Sequence, residues 1–272
     1  MRVLADILAS KRREVEALKA RASGHRAPHE PSVAREAPRP RDPLDVVGAL
    51  RRPAGAPLRL VTEVKLRSPS AGPLSRAMPP EERAAVYAAG GAAMVSILCD
   101  GPFFDGSWEH LASARARIAK TPLLAKEFVL DPVQVVEARD RGGDAVLLIA
   151  RIVDRATLAS LARTAREAGL EPLVEVVDEG ELEAALAADA RVIGVNARDL
   201  DTLAMDAART ARVLEAIPAG VVAVHLSGIR DADDVRRVAA SRADAALVGE
   251  ALMREDDPRA RLASFLDAAG GR

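Results

Sequence analysis

Residues 144–177 read DAVLLIARIVDRATLASLARTAREAGLEPLVEVV, and this stretch contains the pattern on which the fold prediction depends. A short apolar run at 144–149 precedes a segment at 154–168 in which leucine and alanine recur at helical spacing, and a second apolar run follows at 172–176. Near-continuous apolar runs of this length are typical of strands buried on both faces, as in a parallel sheet covered by helices. The stretch therefore predicts a strand–helix–strand unit.

The same alternation repeats from about residue 58 to the end of the chain. The predicted strands are 58–65, 93–98, 122–126, 144–149, 172–176, 192–195, 221–225 and 245–248. The predicted helices lie near 80–89, 108–119, 132–141, 154–168, 179–188, 206–216, 231–240 and 258–269. Eight strands alternating with eight helices predict an α/β protein whose strands close into a (β/α)8, or TIM, barrel. A doubly wound open sheet is the alternative, and it is disfavoured because no GxGxxG motif follows the first strand.

An extra helix is predicted ahead of the barrel. Residues 3–19 place apolar side chains among charged ones at roughly helical spacing, which indicates an amphipathic helix. Residues 21–43 contain five prolines, a density that excludes a helix because each proline removes a backbone donor. We therefore expect residues 1–45 to form an N-terminal helix and a proline-rich linker that cap the barrel, and residues 46–272 to form the barrel.

Composition narrows the classes of function. The net charge of −1 and the aromatic content of 2% provide neither a basic surface nor stacking platforms for nucleic acid. Cys99 is the only cysteine and the four histidines are scattered, so no disulfide or cysteine metal cluster is expected. No apolar run approaches the roughly 18 residues of a membrane span, and Asp6 interrupts the first apolar run in a way untypical of a signal peptide. We expect a cytoplasmic protein, a monomer or weak homo-oligomer, with no membrane or nucleic-acid partner.

Polar residues recur where the predicted strands end, which is the rim that carries chemistry in such barrels. They are Glu63 and Lys65 on the first strand, Lys126 on the third, Glu175 on the fifth, Asn196 and Arg198 after the sixth, Ser227 after the seventh and Glu250 after the eighth, and the glycines Gly228 and Gly249 stand beside the last two. Six of eight strands ending in polar groups at one rim predict a single site.

Two interpretations of the charged residues remain open. Glu63 and Lys65 are two residues apart, so both point to one side of the strand, where they could be a structural ion pair or catalytic groups. Glu175 lies among valines, and burying a carboxylate there is costly unless it is paired; a functional role is favoured, and a structural pairing with Lys126 is the alternative. Lys65 and Lys126 are two of only five lysines among 39 basic residues, and lysine serves as a proton donor where arginine cannot.

A phosphate site is predicted beside these groups. Loops after strands 7 and 8 hold phosphate in many barrels, and glycine lets the backbone approach the phosphate oxygens closely. Ser227-Gly228 and Gly249-Glu250 fit this pattern, and the loop 68–72, which begins with Ser68, could supply hydroxyls and cover the site.

These segments, taken in order, resemble the indole-3-glycerol phosphate synthase family. The similar motifs are Thr62-Glu63-Val64-Lys65 with Ser68-Pro69-Ser70, Phe103-Phe104-Asp105-Gly106-Ser107, Lys126-Glu127-Phe128, Leu173-Val174-Glu175-Val176, Ile193-Gly194-Val195-Asn196-Ala197-Arg198-Asp199-Leu200, Ser227-Gly228-Ile229 and Val248-Gly249-Glu250. Each motif is modest, but the ordered set is specific and spans about residues 3–262, including a helix that caps the substrate in this family.

The resemblance implies a carboxy-lyase of tryptophan biosynthesis that needs no metal or organic cofactor. It closes 1-(o-carboxyphenylamino)-1-deoxyribulose 5-phosphate into indole-3-glycerol phosphate, with loss of carbon dioxide and water. Lys126 would be the general acid at the ketone, Glu175 the base or acid of later proton transfers, and Glu63 and Lys65 would act around the leaving hydroxyl. Asn196 would orient a carboxylate or hydroxyl. The residues expected to bind the substrate are Ser68, Phe128, Arg198, Ser227, Gly228, Gly249 and Glu250.

Four positions depart from the family pattern. Leu226 stands where the family usually has an active-site glutamate, Val177 where it has histidine, Cys99 where it often has threonine, and Glu127 where it has aspartate. Loss of the glutamate removes a charge that could tune the nearby lysines. Two alternatives therefore stay open: a diverged paralogue acting on a related phosphosugar amine or substituted anthranilate, and a non-catalytic phosphosugar-binding barrel.

Overall fold

Eight parallel strands form the centre of the protein, seen in a computed structural model that describes residues 3–22, 42–69, 71–198 and 204–270. In chain order they are β1 (Arg59–Val64), β2 (Met94–Leu98), β3 (Leu123–Lys126), β4 (Ala145–Ile149), β5 (Glu171–Val176), β6 (Val192–Val195), β7 (Val222–His225) and β8 (Ala245–Val248). Each strand pairs with its neighbours in sequence, and β1 also pairs with β8, with Val61 opposite Leu247. The predicted (β/α)8 barrel is therefore confirmed, and the open sheet is wrong.

Nine longer helices accompany the strands of the described part. They are α1 (Val3–Ala22), α2 (Pro80–Ala89), α3 (Trp108–Arg117), α4 (Pro132–Asp140), α5 (Arg155–Glu167), α6 (Glu179–Ala187), α7 (Ala207–Ala216), α8 (Ala232–Ala239) and α9 (Arg259–Ala269). Short helical turns at Val46–Leu50, Gly101–Phe104, Ala150–Ile152 and Glu250–Met253, and a two-stranded ribbon of Arg67–Ser68 with Gly72–Pro73, complete the elements.

Side-chain caps explain where most of the barrel helices begin. An N-cap side chain accepts a hydrogen bond from the first turn of α3 to α8; the caps are Ser107, Asp131, Asp154, Asp178, Asp206 and Asp231. Helix α4, predicted near 132–141, begins at Pro132 after the N-cap Asp131, and Gln134 completes a capping box. The caps satisfy N–H groups that a helix start leaves unpaired, and so fix the loops that lead out of the strands.

The core has two layers, because each strand presents alternate side chains to opposite faces. Outward residues such as Val95 and Val174 pack against the helices, whereas inward residues such as Leu147 and Leu173 fill the barrel. The short helix Val46–Leu50 adds Val46 and Leu50 to the inner layer. Towards the carboxyl ends of the strands, the charged side chains of Glu63, Lys126 and Glu175 take the place of apolar ones, and this is the end where a site can form.

Helix α1 packs outside the barrel, against α4. Its buried face contains Leu4, Ile7, Lys11, Val15 and Leu18, and Leu4 and Ile7 join the inner core beside Phe128, at the carboxyl end of the strands. The predicted helix at 3–19 is thus confirmed, whereas most of the predicted linker at 21–43 lies outside the described residues. Within the described ranges, no helix has both the length and the apolarity needed to cross a membrane.

Candidate active site

A cavity of about 730 Å³ opens at the carboxyl ends of the barrel strands. It is lined by all twelve residues predicted for the site: Glu63, Lys65, Ser68, Lys126, Phe128, Glu175, Asn196, Arg198, Ser227, Gly228, Gly249 and Glu250. They come from segments far apart in sequence and meet because parallel strands bring their carboxyl ends to one rim. A cavity of this size accommodates a small organic ligand.

The first strand contributes a close ion pair. Lys65 Nζ lies 2.6 Å from Glu63 Oε1, and the Glu63 side chain is almost fully buried. Burial by itself would raise the pKa of Glu63, but the positive charges of Lys65 and Lys126 outweigh it and lower that pKa. Glu63 is therefore held as a carboxylate.

The third, fifth and sixth strands contribute a chain of contacts across the cavity. Lys126 Nζ donates to Glu175 Oε2 at 3.2 Å, and Asn196 Nδ2 donates to Glu175 Oε1 at 2.8 Å. Burial would lower the pKa of Lys126, but Glu175 and Glu63 outweigh it and raise that pKa. Lys126 is thus an ammonium group set between two carboxylates. Glu175 is paired, as its burial among valines required.

Asn196 also organises the loops that follow β6 and β7. Its Oδ1 accepts hydrogen bonds from Ser227 Oγ at 2.8 Å and from the backbone N–H of Arg198 at 3.0 Å. The Arg198 N–H is shared with Ser227 Oγ, at 3.1 Å. Both loops are consequently tied to the group that orients Glu175, so Asn196 does more than turn the chain.

Two glycines line the cavity where a side chain would not fit. Gly228 has φ +91°, a conformation that favours glycine, and a Cβ there would lie 2.4 Å from Met205 Cε. A Cβ on Gly249 would lie 2.6 Å from Glu63 Oε1 and 3.2 Å from Glu63 Cβ. Glycine at these positions lets the backbone approach the cavity and leaves space for Glu63.

The remaining predicted residues lie at the margins. Ser68 is buried and its Oγ accepts a hydrogen bond from Ala71 N at 3.1 Å, while Ser70 is outside the described residues. Glu250 forms an ion pair with Arg254 at 2.7 Å, so its carboxylate is already engaged. Across the described ranges, no group of three or more His, Cys, Asp or Glu side chains is arranged to hold a metal ion.

One wall of the cavity is apolar, and the sequence prediction assigned only Phe128 to it. Phe128 packs against Phe104 with ring centroids 6.0 Å apart, and Leu4 and Ile7 of α1 line the same cavity. The Phe103-Phe104 motif and the apolar face of residues 3–19 were the available signals, but neither shows by itself where it packs.

Leu226 lies deeper in the barrel. It is buried in the inner core, and a Cβ added to Gly194 would lie 2.4 Å from Leu226 Cδ1. The absence of a side chain at Gly194 is therefore what makes room for Leu226. At this position the cavity has an apolar floor rather than a charged one.

The fold and the site together define a class: a (β/α)8-barrel enzyme with acid–base groups at the carboxyl ends of its strands. A family model described as indole-3-glycerol phosphate synthase matches residues 4–265, and the chain belongs to that family.

Individual relatives with the same description support this assignment to the family. The chain is 43% identical to the indole-3-glycerol phosphate synthase of Opitutus terrae over 267 residues, covering 96% of this chain and 97% of that one. It is 47% identical over 214 residues to indole-3-glycerol phosphate synthase 2 of Streptomyces coelicolor, covering 79% and 81%. The crystal structure of 3-hexulose-6-phosphate synthase from Salmonella typhimurium, at 15% identity, covers 78% of this chain and 98% of that one with a TM-score of 0.60. That last likeness shows the fold alone.

Proposed function

We propose that the chain is an indole-3-glycerol phosphate synthase, a carboxy-lyase of tryptophan biosynthesis. It takes 1-(o-carboxyphenylamino)-1-deoxyribulose 5-phosphate and closes the ring with loss of carbon dioxide and water. The observation that carries the proposal is the position of Lys126 Nζ, paired with Glu175 and close enough to Glu63 to lower the pKa of that carboxyl. It places a proton donor and two carboxylates inside one cavity.

Ring closure needs a proton donor at the ketone. When the aromatic carbon attacks, the ketone oxygen gains negative charge, and Lys126, kept protonated by Glu175 and Glu63, supplies the proton. Loss of carbon dioxide then restores the aromatic ring. Lys126 is thus proposed as the general acid of the first step.

The loss of water needs one proton delivered to the leaving hydroxyl and another removed from the new ring. Glu63, held ionised, orients Lys65 across 2.6 Å, and this pair serves the leaving hydroxyl. Glu175, fixed by Asn196, takes part in the remaining proton transfers. Comparison of Lys65→Ala with Lys126→Ala distinguishes which lysine donates the proton in each step.

The rest of the cavity is proposed to bind the substrate. Ser68, Ser227, Gly228, Gly249 and Glu250 line the side assigned to the phosphate, and Arg198 lies next to Asn196 for the carboxylate. The apolar wall with Phe128 takes the aromatic ring. We further propose a cytoplasmic monomer or weak homo-oligomer in which residues 1–45 cap the barrel and nucleic acid plays no part, as the mixed surface charge suggests.

The experiment is a fluorescence assay with 1-(o-carboxyphenylamino)-1-deoxyribulose 5-phosphate that follows indole emission, run on the wild type and on Lys126→Ala. The expected result is a rise in the wild type and a loss of at least about a hundredfold in the variant. No rise in the wild type, with the substrate still bound in a parallel titration, would contradict the proposal.

Leu226 favours a second candidate, a related phosphosugar amine or substituted anthranilate as substrate, because it makes the cavity floor apolar. Leu226→Glu separates the two. If the wild type turns over the unsubstituted substrate and the variant does not improve it, the second candidate is unnecessary. If only the variant turns it over, the native substrate is a different one.

A further inference from the structure

A buried lysine outside the cavity connects α1 to two loops of the barrel. Lys11 is 1% exposed, and its Nζ lies 3.0 Å from Asp100 Oδ1, 2.9 Å from Glu127 Oε1 and 2.7 Å from Glu14 Oε2. The contact with Asp100 Oδ1 is an ion pair outside good hydrogen-bonding geometry. Asp100 follows β2 and Glu127 follows β3, and both are buried. One cation therefore holds three separate segments together.

The position of Lys11 on α1 allows it to fix the register of this helix against the barrel. Among the described residues of α1, Lys11 is the one buried charged side chain, in the middle of a stripe formed by Leu4, Ile7, Val15 and Leu18. A shift of the helix by one turn would set an apolar side chain against Asp100 and Glu127, and would leave two buried carboxylates without a cation. Such a mispairing is costly, and fixing a register is the best attested use of a buried charge.

The register of α1 also determines which of its side chains line the cavity. Ile7 and Leu4 lie about one and two turns before Lys11, respectively, and both line the cavity. A helix held in another register would present different side chains there.

The two carboxylates also hold the aromatic wall. Glu127 Oε1 accepts a hydrogen bond from the backbone N–H of Phe128 at 2.7 Å. Asp100 Oδ2 accepts one from Phe103 N at 2.9 Å and begins the short helix that carries Phe104, the ring that packs on Phe128. Lys11 thus contacts the group that supports each half of this wall.

We propose that Lys11 is a positioning residue for substrate binding. It fixes the register of α1 across the cavity mouth, and with it the place of Leu4, Ile7 and the Phe104–Phe128 wall. The inference rests on the proposed function, since it assigns the wall to the aromatic part of the substrate. Lys11 does not line the cavity, so its removal acts on KM rather than on the chemical step.

The test is Lys11→Met, which removes the charge and keeps an unbranched side chain. Its matched control is Lys19→Met on the same helix, where Nζ pairs with Asp131 Oδ2 at 2.7 Å but the side chain is 46% exposed. We expect Lys11→Met to raise KM by about tenfold or more with kcat within about threefold of wild type, and Lys19→Met to keep the wild-type KM. An unchanged KM in Lys11→Met, or a fall in kcat alone, would overturn the proposal.

Hydrogen–deuterium exchange gives a second readout that does not depend on turnover. The amides of α1 should exchange faster in Lys11→Met than in the wild type, with the barrel strands unchanged. If the wild type fails to turn over the substrate, the proposed function fails, while the exchange comparison still decides whether Lys11 holds α1.

A triple variant covers the case in which Lys11→Met does not fold. Lys11→Met with Asp100→Asn and Glu127→Gln leaves no stranded carboxylate, and both amides can still accept the backbone hydrogen bonds to Phe103 and Phe128. We expect a folded protein with raised KM and faster exchange in α1. Wild-type values for both would overturn the proposal.

Discussion

Identical side chains behave differently in this protein according to how many cations each one shares. Glu63 is buried next to Lys65 and Lys126, and the two positive charges lower its pKa. Glu127 is equally buried, but it shares Lys11 with Asp100 and Glu14, so burial dominates and raises its pKa to about 7. One carboxylate is therefore ionised at neutral pH, and the other can share a proton.

The carboxylate of Glu63 depends on the missing side chain at Gly249. Gly249→Ala would place a Cβ 2.6 Å from Glu63 Oε1, so the oxygen that Lys65 contacts must shift. We expect kcat to fall by about a hundredfold, because misplacement by about 1 Å has an effect of this size. The assay with the phosphorylated substrate measures it. Gly220→Ala is the control, since a Cβ there meets nothing within 4 Å; equal kcat for both variants would contradict the role of Glu63.

Turns between helices and strands rely on glycine in a left-handed conformation. Gly91, Gly142 and Gly169 follow α2, α4 and α5 with φ of +103°, +87° and +79°. After α6 the same conformation is taken by Asp189, with φ +55°. These turns end each helix and lead the chain into the next strand.

Gly142 shows the effect most clearly. In Gly142→Ala the residue would keep a positive φ, and its Cβ would lie 2.4 Å from Arg115 Cγ. We expect a loss of about 1–3 kcal/mol in the free energy of unfolding, measured by denaturant titration. Gly220→Ala, at a comparable turn without positive φ, should change it by less than about 0.5 kcal/mol. A stability of Gly142→Ala equal to that of Gly220→Ala would show that the turn tolerates a side chain.

The cluster around Lys11 links α1 to the barrel, so its titration affects the stability of the whole chain. The pKa of Glu127 is about 7 in the folded protein against 4.5 ordinarily. Between these values the unfolded chain releases a proton that the folded chain retains, and stability therefore falls as pH rises through this window. Below 4.5 the stabilisation is fully present, and above about 7 it is lost.

This pH dependence is tested by comparison with Glu127→Gln. The free energy of unfolding of the wild type, relative to the variant, should fall by about 1–3 kcal/mol from pH 4.5 to pH 7.5. Denaturant titrations at several pH values measure the difference. Parallel curves for the two proteins would mean that Glu127 has no raised pKa in the folded state.

Local patterns were sufficient to predict the barrel, and with the family resemblance of the ordered motifs they predicted which residues line the cavity. The eight apolar runs could be read directly, because a strand buried on both faces needs apolar side chains at nearly every position. The twelve predicted residues all line one cavity because each follows or ends a parallel strand, and the carboxyl ends of those strands converge in a closed barrel. This is why Glu175 and Asn196 could be placed in one site from sequence alone.

The pairing of these residues depended on the tertiary structure. Closure of β1 onto β8 brings Gly249 against Glu63, and the β6–β7 pairing brings Gly194 against Leu226; neither contact leaves a local signal in the sequence. In the cluster around it, Lys11 meets Asp100 and Glu127, which lie about ninety or more residues further along the chain, and each residue alone resembles an ordinary surface charge. Periodicity shows which side of an element is buried, whereas the partner of a buried charge is decided by packing between elements distant in sequence.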